Sequence, residues 1–184
     1  MPGNWNSKKE CRSFYKDLCA QRFSQSLVQD QEQLNQQLLS FFSNERGYWG
    51  AYHALPHEAS VTAAPFHGHA VTWLFPRMGG SELDFCQARE IIAGPFGVME
   101  PSHDSEVVPL KDIQGILVPG LVFNKNGNRL GKGKGFYDRA LASFSGKKVG
   151  VCFSFQISDK LIPTEPHDVK MDYLLTEQGL WTCR

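Results

Sequence analysis

Apolar residues first return at helical spacing near the start of the chain. Ser7 and Glu10, three apart, form a capping-box pattern, and Cys11, Phe14, Leu18 and Cys19 follow at intervals of a helical face. A second helix is predicted over about Ser26 to Ser43, with Leu27, Leu34, Leu38 and Phe41 on one side and a Gln-rich solvated side opposite. After Gly47 the pattern shortens to β-rich runs bounded by Pro or Gly: 48–55, 70–75 and 83–89. The near-continuous apolar run 115–123 suits a strand buried on both faces, as does 148–155, and 173–176 reads as a short last strand. Phe136 to Phe144 reads as a helix, and Gly94 to Pro109, rich in Pro, Gly and charge, as a long surface loop bordering a site.

Helices alternating with buried strands predict an α/β fold: one layered domain over residues 1–184, with a central, mostly parallel or mixed β-sheet covered by helices. The N-terminal helices, about 7–43, should pack on that sheet. A chain of 184 residues, 41% hydrophobic and 21% charged, fits one domain with a substantial core. Its formal net charge of zero leaves no overall field to attract nucleic acid or an anionic membrane. Five scattered cysteines without a C-x-x-C pair argue against a disulfide framework or a structural zinc. No apolar run resembles a signal peptide or a membrane span, so the expected location is cytoplasmic.

Charge matters locally. Lys125, Arg129, Lys132, Lys134 and Arg139 fall within one fifteen-residue window that holds a single acid, Asp138. Gly131, Gly133 and Gly135 are threaded among them, and an aromatic pair follows in "GNRLGKGKGFYDR". Clustered cations repel and ordered glycines cost entropy, so a polyanion lying against exposed backbone N–H groups is the expected compensation. The loop is not a Walker A sequence: Gly127 and Gly131 are one residue too close, and Lys132 is followed by glycine. Dinucleotide spacing fails as well. Asp138 is placed to share a divalent cation with polyphosphate. His67-Gly-His69 lacks a partner spaced to complete a metal site and reads as a solvated turn. His167 and Asp168, adjacent in an extended segment, point apart.

The segment "LVPGLVFNKNGNRLGKGKGFYDRAL" (117–141) resembles the signature of the 5-formyltetrahydrofolate cyclo-ligase family. The likeness extends through "KKECR", "WLFPR" and "PHDVKMD". It implies an ATP- and Mg2+-dependent enzyme that converts 5-formyltetrahydrofolate, with or without a polyglutamate tail, into 5,10-methenyltetrahydrofolate, as a monomer or homodimer. By position it places Lys8, Lys9, Arg12, Arg129, Gly131, Lys132, Gly133, Lys134, Gly135, Phe136 and Tyr137 at ATP. It places His53, Leu55 and Glu58, with the 132–136 segment, at the folate. Lys134, Arg129 and Glu58 would serve the reaction, and Asp138 and Asp172 would hold magnesium. Trp73, Phe75 and Pro76 are candidate walls for the pterin.

Four positions depart from the usual family pattern: Phe136 for tyrosine, Phe96 for tryptophan, His57 for an acid, and Met78 for an aromatic. They bear on folate selectivity more than on nucleotide chemistry. They leave open a ligase or phosphotransferase acting on another formamide-like substrate. A non-catalytic nucleotide or folate sensor, or an RNA-associated protein, is a further alternative; the intact acidic and basic set and the zero net charge argue against these.

Overall fold

The computed structural model describes residues 5–61, 70–80, 82–94 and 97–184. Two helices come first, α1 (Lys8–Ser24) and α2 (Val28–Phe42). Ser7 caps α1 by accepting from Glu10 N at 3.1 Å, but the Glu10 carboxylate accepts from Asn6 N rather than from Ser7. The expected box therefore closes one residue further out. The buried stripe of α1 is Cys11, Tyr15 and Cys19, a strict four-residue spacing, and Phe14 is 44% exposed.

Strands β1 (Gly47–Gly50), β2 (Val71–Gly79), β3 (Glu82–Gln87), β4 (Ile91–Ala93), β5 (Met99–Pro101) and β6 (Glu106–Val107) follow. Next come β7 (Ile113–Val118), β8 (Val122–Asn124), β9 (Arg129–Leu130), α3 (Phe136–Leu141), β10 (Lys147–Val151), β11 (Ile157–Ser158), β12 (Tyr173–Thr176) and β13 (Gly179–Thr182). The fold is α/β. Its main sheet runs β13-β12-β10-β7-β1-β2-β3-β6, with β12, β10, β7, β1 and β2 parallel and β13, β3 and β6 antiparallel at the edges. Two smaller sheets are β11-β8-β9 and β4-β5.

Each helix covers its own surface. Leu34, Leu38 and Phe42 of α2 pack on Trp49, Leu117, Val149, Val151 and Leu175 on one face of the main sheet. The other face buries Leu74, Phe85, Ile116 and Leu174 under Leu141 and Phe144. The Trp49 ring lies over Gly115, where even a Cβ would collide with it. Helix α1 instead packs Cys11 and Tyr15 on Leu121, Val122 and Leu130 of the small three-stranded sheet. Burying each large side chain of this kind contributes about 1.5–3 kcal/mol. The packing also fixes Lys8 and Arg12 beside the segment that follows β9.

Several expected elements are cut short or added. The run 115–123 is two strands in different sheets, because Pro119 and Gly120 interrupt it and a proline has no N–H for a ladder. The strand expected over 48–55 ends at Gly50, after which the chain turns through Leu55 to Glu58. The strand over 148–155 ends at Val151, and Gln156 ties down the following 3-10 turn by accepting from Phe153 N at 2.9 Å. The helix expected to reach Phe144 ends at Leu141. Residue 176 is not the end of the sheet, since β13 pairs back on β12. The loop expected over 94–109 carries β5 and β6 and buries Glu100, Ser102 and Ser105. Positions 67, 69 and 96 lie outside the described residues.

Candidate functional site

The glycine-rich segment is aimed by the turn before it. Buried Asn124 accepts with its side chain from Asn126 N and Asn128 N, at 3.1 and 3.0 Å, closing the β8–β9 hairpin. Gly127, at φ +81°, sits where a Cβ would strike the Met171 carbonyl. The hairpin delivers Arg129, only 7% exposed, to the base of a cavity. There Arg129 Nη2 donates to Asp138 Oδ1 at 3.0 Å and Nη1 donates to the Pro119 carbonyl at 3.2 Å, while the guanidinium lies 5.6 Å from the Tyr137 ring centre. Residues Gly131 to Gly135 then line the cavity before α3 begins. Gly133 and Gly135 have φ of +102° and +67°, which side chains rarely tolerate. The segment is braced from two sides. Arg12 Nε donates to the Gly131 carbonyl at 3.1 Å, and Arg139 Nη1 donates to the Lys134 carbonyl at 3.2 Å.

The cavity has a volume of about 510 Å³. Lys8, Arg12, Arg129, Lys132 and Lys134 line one end, with Asp138, Glu165 and Asp168 among them. Lys8 stands 2.8 Å from Glu165 and 2.6 Å from Asp168. Burial acts to lower the Lys8 pKa but is outweighed by hydrogen bonds to the two acids, so the net direction is up. For Asp168, burial acts upward and is outweighed by the Lys8 contact, so its net direction is down. Lys132 Nζ is 2.8 Å from Glu58 Oε1, and the other Glu58 oxygen accepts from Leu55 N at 2.9 Å. That pair joins the cationic end to a second end lined by His53, Leu55, Pro76, Met78, Leu83, Val98 and Glu100. His53 stacks on Phe75 with ring centres 4.5 Å apart and planes at 17°. Burial lowers the His53 pKa, which favours the neutral imidazole. Burial also pushes the Tyr137 hydroxyl up, as does Glu58, against the opposing effect of Arg129.

Most residues anticipated from sequence therefore meet in one place: Lys8, Arg12, His53, Leu55, Glu58, Arg129, Gly131 to Tyr137, and Asp138. Lys9 does not; it is exposed on α1 and does not line the cavity. Asp172 does not line the cavity either. Its Oδ2 accepts from Lys148 N at 2.8 Å and pairs with Lys148 Nζ at 2.9 Å. Asp138 is at the cavity and holds Arg129, and Asp172 is engaged elsewhere. Glu165, His167 and Asp168 do bring ligand atoms within 4.8 Å of one another, but the Lys8 ammonium already stands against two of the three. His167 sits in a turn rather than a strand, so the expectation that it points away from Asp168 fails: its imidazole is 3.2 Å from Glu165 and within 4.8 Å of the Asp168 carboxylate. Of the expected pterin walls, Pro76 lines the cavity, Phe75 backs His53, and Trp73 packs on the core cluster under α2. Met78 lines the cavity and His57 does not. Leu83, Val98, Glu100 and Glu165 had no motif to announce them, and Asp168, inside "PHDVKMD", was given no role at the site.

A parallel-centred sheet whose loops enclose a cavity, cationic at one end and apolar at the other, defines an α/β protein with a two-ended ligand cavity. The profile of the 5-formyltetrahydrofolate cyclo-ligase family matches residues 71–177, and the chain belongs to that family. A relative from Mycolicibacterium smegmatis, described as a 5-formyltetrahydrofolate cyclo-ligase, is 40% identical over 100 residues, covering 51% of this chain and 50% of its own. One from Escherichia coli with the same description is 31% identical over 103 residues, covering 54% and 56%. The chain spans about half the length of the curated relatives it matches. The structure of Aquifex aeolicus 5,10-methenyltetrahydrofolate synthetase superposes with a TM-score of 0.79 at 30% identity, over 96% of this chain and 93% of that one. A Mycoplasma pneumoniae protein described by the same activity superposes at 0.72 with 22% identity, over 90% and 97%, a likeness of fold. No helix among the described residues is long and apolar enough to cross a membrane.

Proposed function

We propose that the chain acts as one cyclo-ligase domain, converting 5-formyltetrahydrofolate to 5,10-methenyltetrahydrofolate at the expense of ATP, with release of ADP and phosphate. The observation that carries this reading is the joined cavity, with its lysines and arginines at one end, its apolar walls at the other, and the Lys132–Glu58 pair between them. An amide oxygen is a poor leaving group. Transfer of the terminal phosphoryl group to the formyl oxygen converts it into a good one. N10 of the folate then attacks the formyl carbon, phosphate departs with the oxygen, and the five-membered ring closes. The protein's share of such a reaction is to position both ligands and to neutralise phosphoryl charge.

Lys8, Arg12, Lys132 and Lys134 supply the charge, and the backbone of Gly131, Gly133 and Gly135 allows close approach of the phosphates. Arg129, held by Asp138 and the Pro119 carbonyl, presents a rigid cation at the base of the site. Glu58, His53, Leu55 and Phe136 border the position of the formyl group and pterin. Lys8 and Lys132 are already paired with carboxylates, so the nucleotide binds by exchange, taking over cations that acids hold in its absence. Magnesium belongs to this reading as the companion of ATP, and the sequence of steps assigns the protein's carboxylates no metal chemistry.

An absorbance assay for the methenyl product tests the proposal. Product should form only when ATP, a divalent cation and 5-formyltetrahydrofolate are all present. Formation without nucleotide, or no product under any combination, overturns it.

A further inference from the structure

Five carboxylates line the cavity, and four of them face a cation: Glu58 with Lys132, Asp138 with Arg129, and Glu165 and Asp168 with Lys8. Glu100 is the exception. It is 5% exposed and has no ion pair among the described residues. Its hydrogen-bond partner among those residues is Met78 N, which donates to Oε2 at 3.1 Å. Its position is constructed. Strand β5 lies against β2 and carries Glu100 to the backbone of Met78. Gly94 makes room for the carboxyl group, because a Cβ there would strike the Glu100 side chain. Pro76, Met78, Leu83 and Val98 line the same cavity and offer apolar walls.

A buried carboxylate with one backbone donor has most of its acceptor capacity unfilled, and that is costly unless a ligand completes it. The ligand that fits is flat, apolar on its faces, and carries two adjacent N–H donors on one edge. Such an edge pairs with a carboxylate as a guanidinium does, through two parallel hydrogen bonds. We infer that Glu100 is the recognition residue for the amino–amide edge of a 2-amino-4-oxo heterocycle, accepting from its ring N–H and exocyclic amino group. This deepens the proposed function and rests on it: the heterocycle is the pterin of the folate, and Glu100 excludes formamide-like substrates that lack that edge. A site built to hydrogen-bond a ligand group rejects the analogue without it far more strongly than an apolar wall rejects a change of size.

The variant Glu100→Gln isolates the role. Glutamine keeps an oxygen for Met78 N–H but places an amino group, itself a donor, where the second carboxylate oxygen was. Binding is measured by titration calorimetry on wild type and variant with three probes: 5-formyltetrahydrofolate, its analogue lacking the 2-amino group, and a non-hydrolysable ATP analogue. In Glu100→Gln the folate should bind on the order of 10- to 100-fold more weakly. The deaminated analogue should bind both proteins nearly equally, and the nucleotide titration should be unchanged, which also reports an intact fold. Equal folate binding by the two proteins, an equal loss for folate and deaminated analogue, or a loss of nucleotide binding as well overturns the inference. Absence of folate binding by the wild type overturns the functional reading and this one with it, a result distinguishable because it precedes any substitution.

Discussion

At the cationic end of the cavity, Arg129 holds Asp138 at 3.0 Å and Lys8 holds Asp168 at 2.6 Å, so these cations already face carboxylates before any ligand arrives. At the apolar end Glu100 lies among Pro76, Met78, Leu83 and Val98 without a cation among the described residues. The first arrangement binds by exchange: an incoming polyanion must displace carboxylates, and the gain is the difference between two ionic contacts. The second binds by completion, since a ligand fills hydrogen-bonding capacity that was empty. Exchange preserves the cations in a fixed geometry at modest affinity per contact and is screened by salt. Completion supplies selectivity, because a ligand lacking the matching edge leaves a buried charge uncompensated.

The most severe way to break this contrast is to empty the cationic end from within. Arg129 is buried and Asp138 is partly buried beside it, so Arg129→Ala leaves a carboxylate of low exposure without its cation. Breaking such a pair should lower unfolding stability by about 3 kcal/mol, measured by urea denaturation. A loss below about 1 kcal/mol would mean that Asp138 finds another partner and that the pair does not anchor the site. Less severe is a change at the rim of the same end. Lys134 is exposed, so Lys134→Ala should spare the fold and weaken a non-hydrolysable ATP analogue on the order of 10- to 100-fold, leaving 5-formyltetrahydrofolate binding within about 2-fold. Titration calorimetry with each ligand decides it. A larger loss on the folate side would show that the two ends do not divide the ligands as proposed.

The same contrast explains what was legible in the sequence. The cationic end is written largely in one contiguous stretch, where glycines mark unusual backbone and lysines mark charge, so Gly131 to Tyr137 could be read without a structure. What that stretch concealed was pairing. Asp138 reads as a free carboxylate suited to a metal, and only the β8–β9 hairpin brings it against Arg129. Asp172 meets Lys148 of the neighbouring strand, a contact its residue type alone does not disclose. The apolar end is assembled from β1's continuation, β2, β3 and β5, each contributing one or two ordinary residues. Glu100 sat in a segment whose prolines, glycines and charges suggested a surface loop, and nothing local reveals that a glutamate there turns inward onto Met78 N. The break at Pro119 and Gly120 was visible in the sequence, but an uninterrupted apolar pattern on both sides outweighed it. Apolar periodicity reports burial and does not report which sheet does the burying.

Between the two ends lies the turn that presents Glu58 to Lys132, and it offers the finest adjustment. His57 has φ of +67°, the non-glycine residue with positive φ among those described. It is exposed and outside the cavity lining; its ring instead lies 5.6 Å from Phe23. The left-handed residue stands between Pro56 and Glu58, within the turn in which Leu55 N donates to the Glu58 carboxylate. A β-carbon in that region costs about 1–2 kcal/mol, and glycine returns part of the relief as chain entropy lost on folding. His57→Gly should accordingly stabilise the protein by about 0.5–1 kcal/mol, less whatever the Phe23 contact contributes, and leave both calorimetric titrations unchanged. If stability rises but folate binding weakens, the imidazole takes part in the apolar end after all. If stability falls, the ring contact with Phe23 outweighs the backbone strain, and the turn is held by its side chain more than by its conformation.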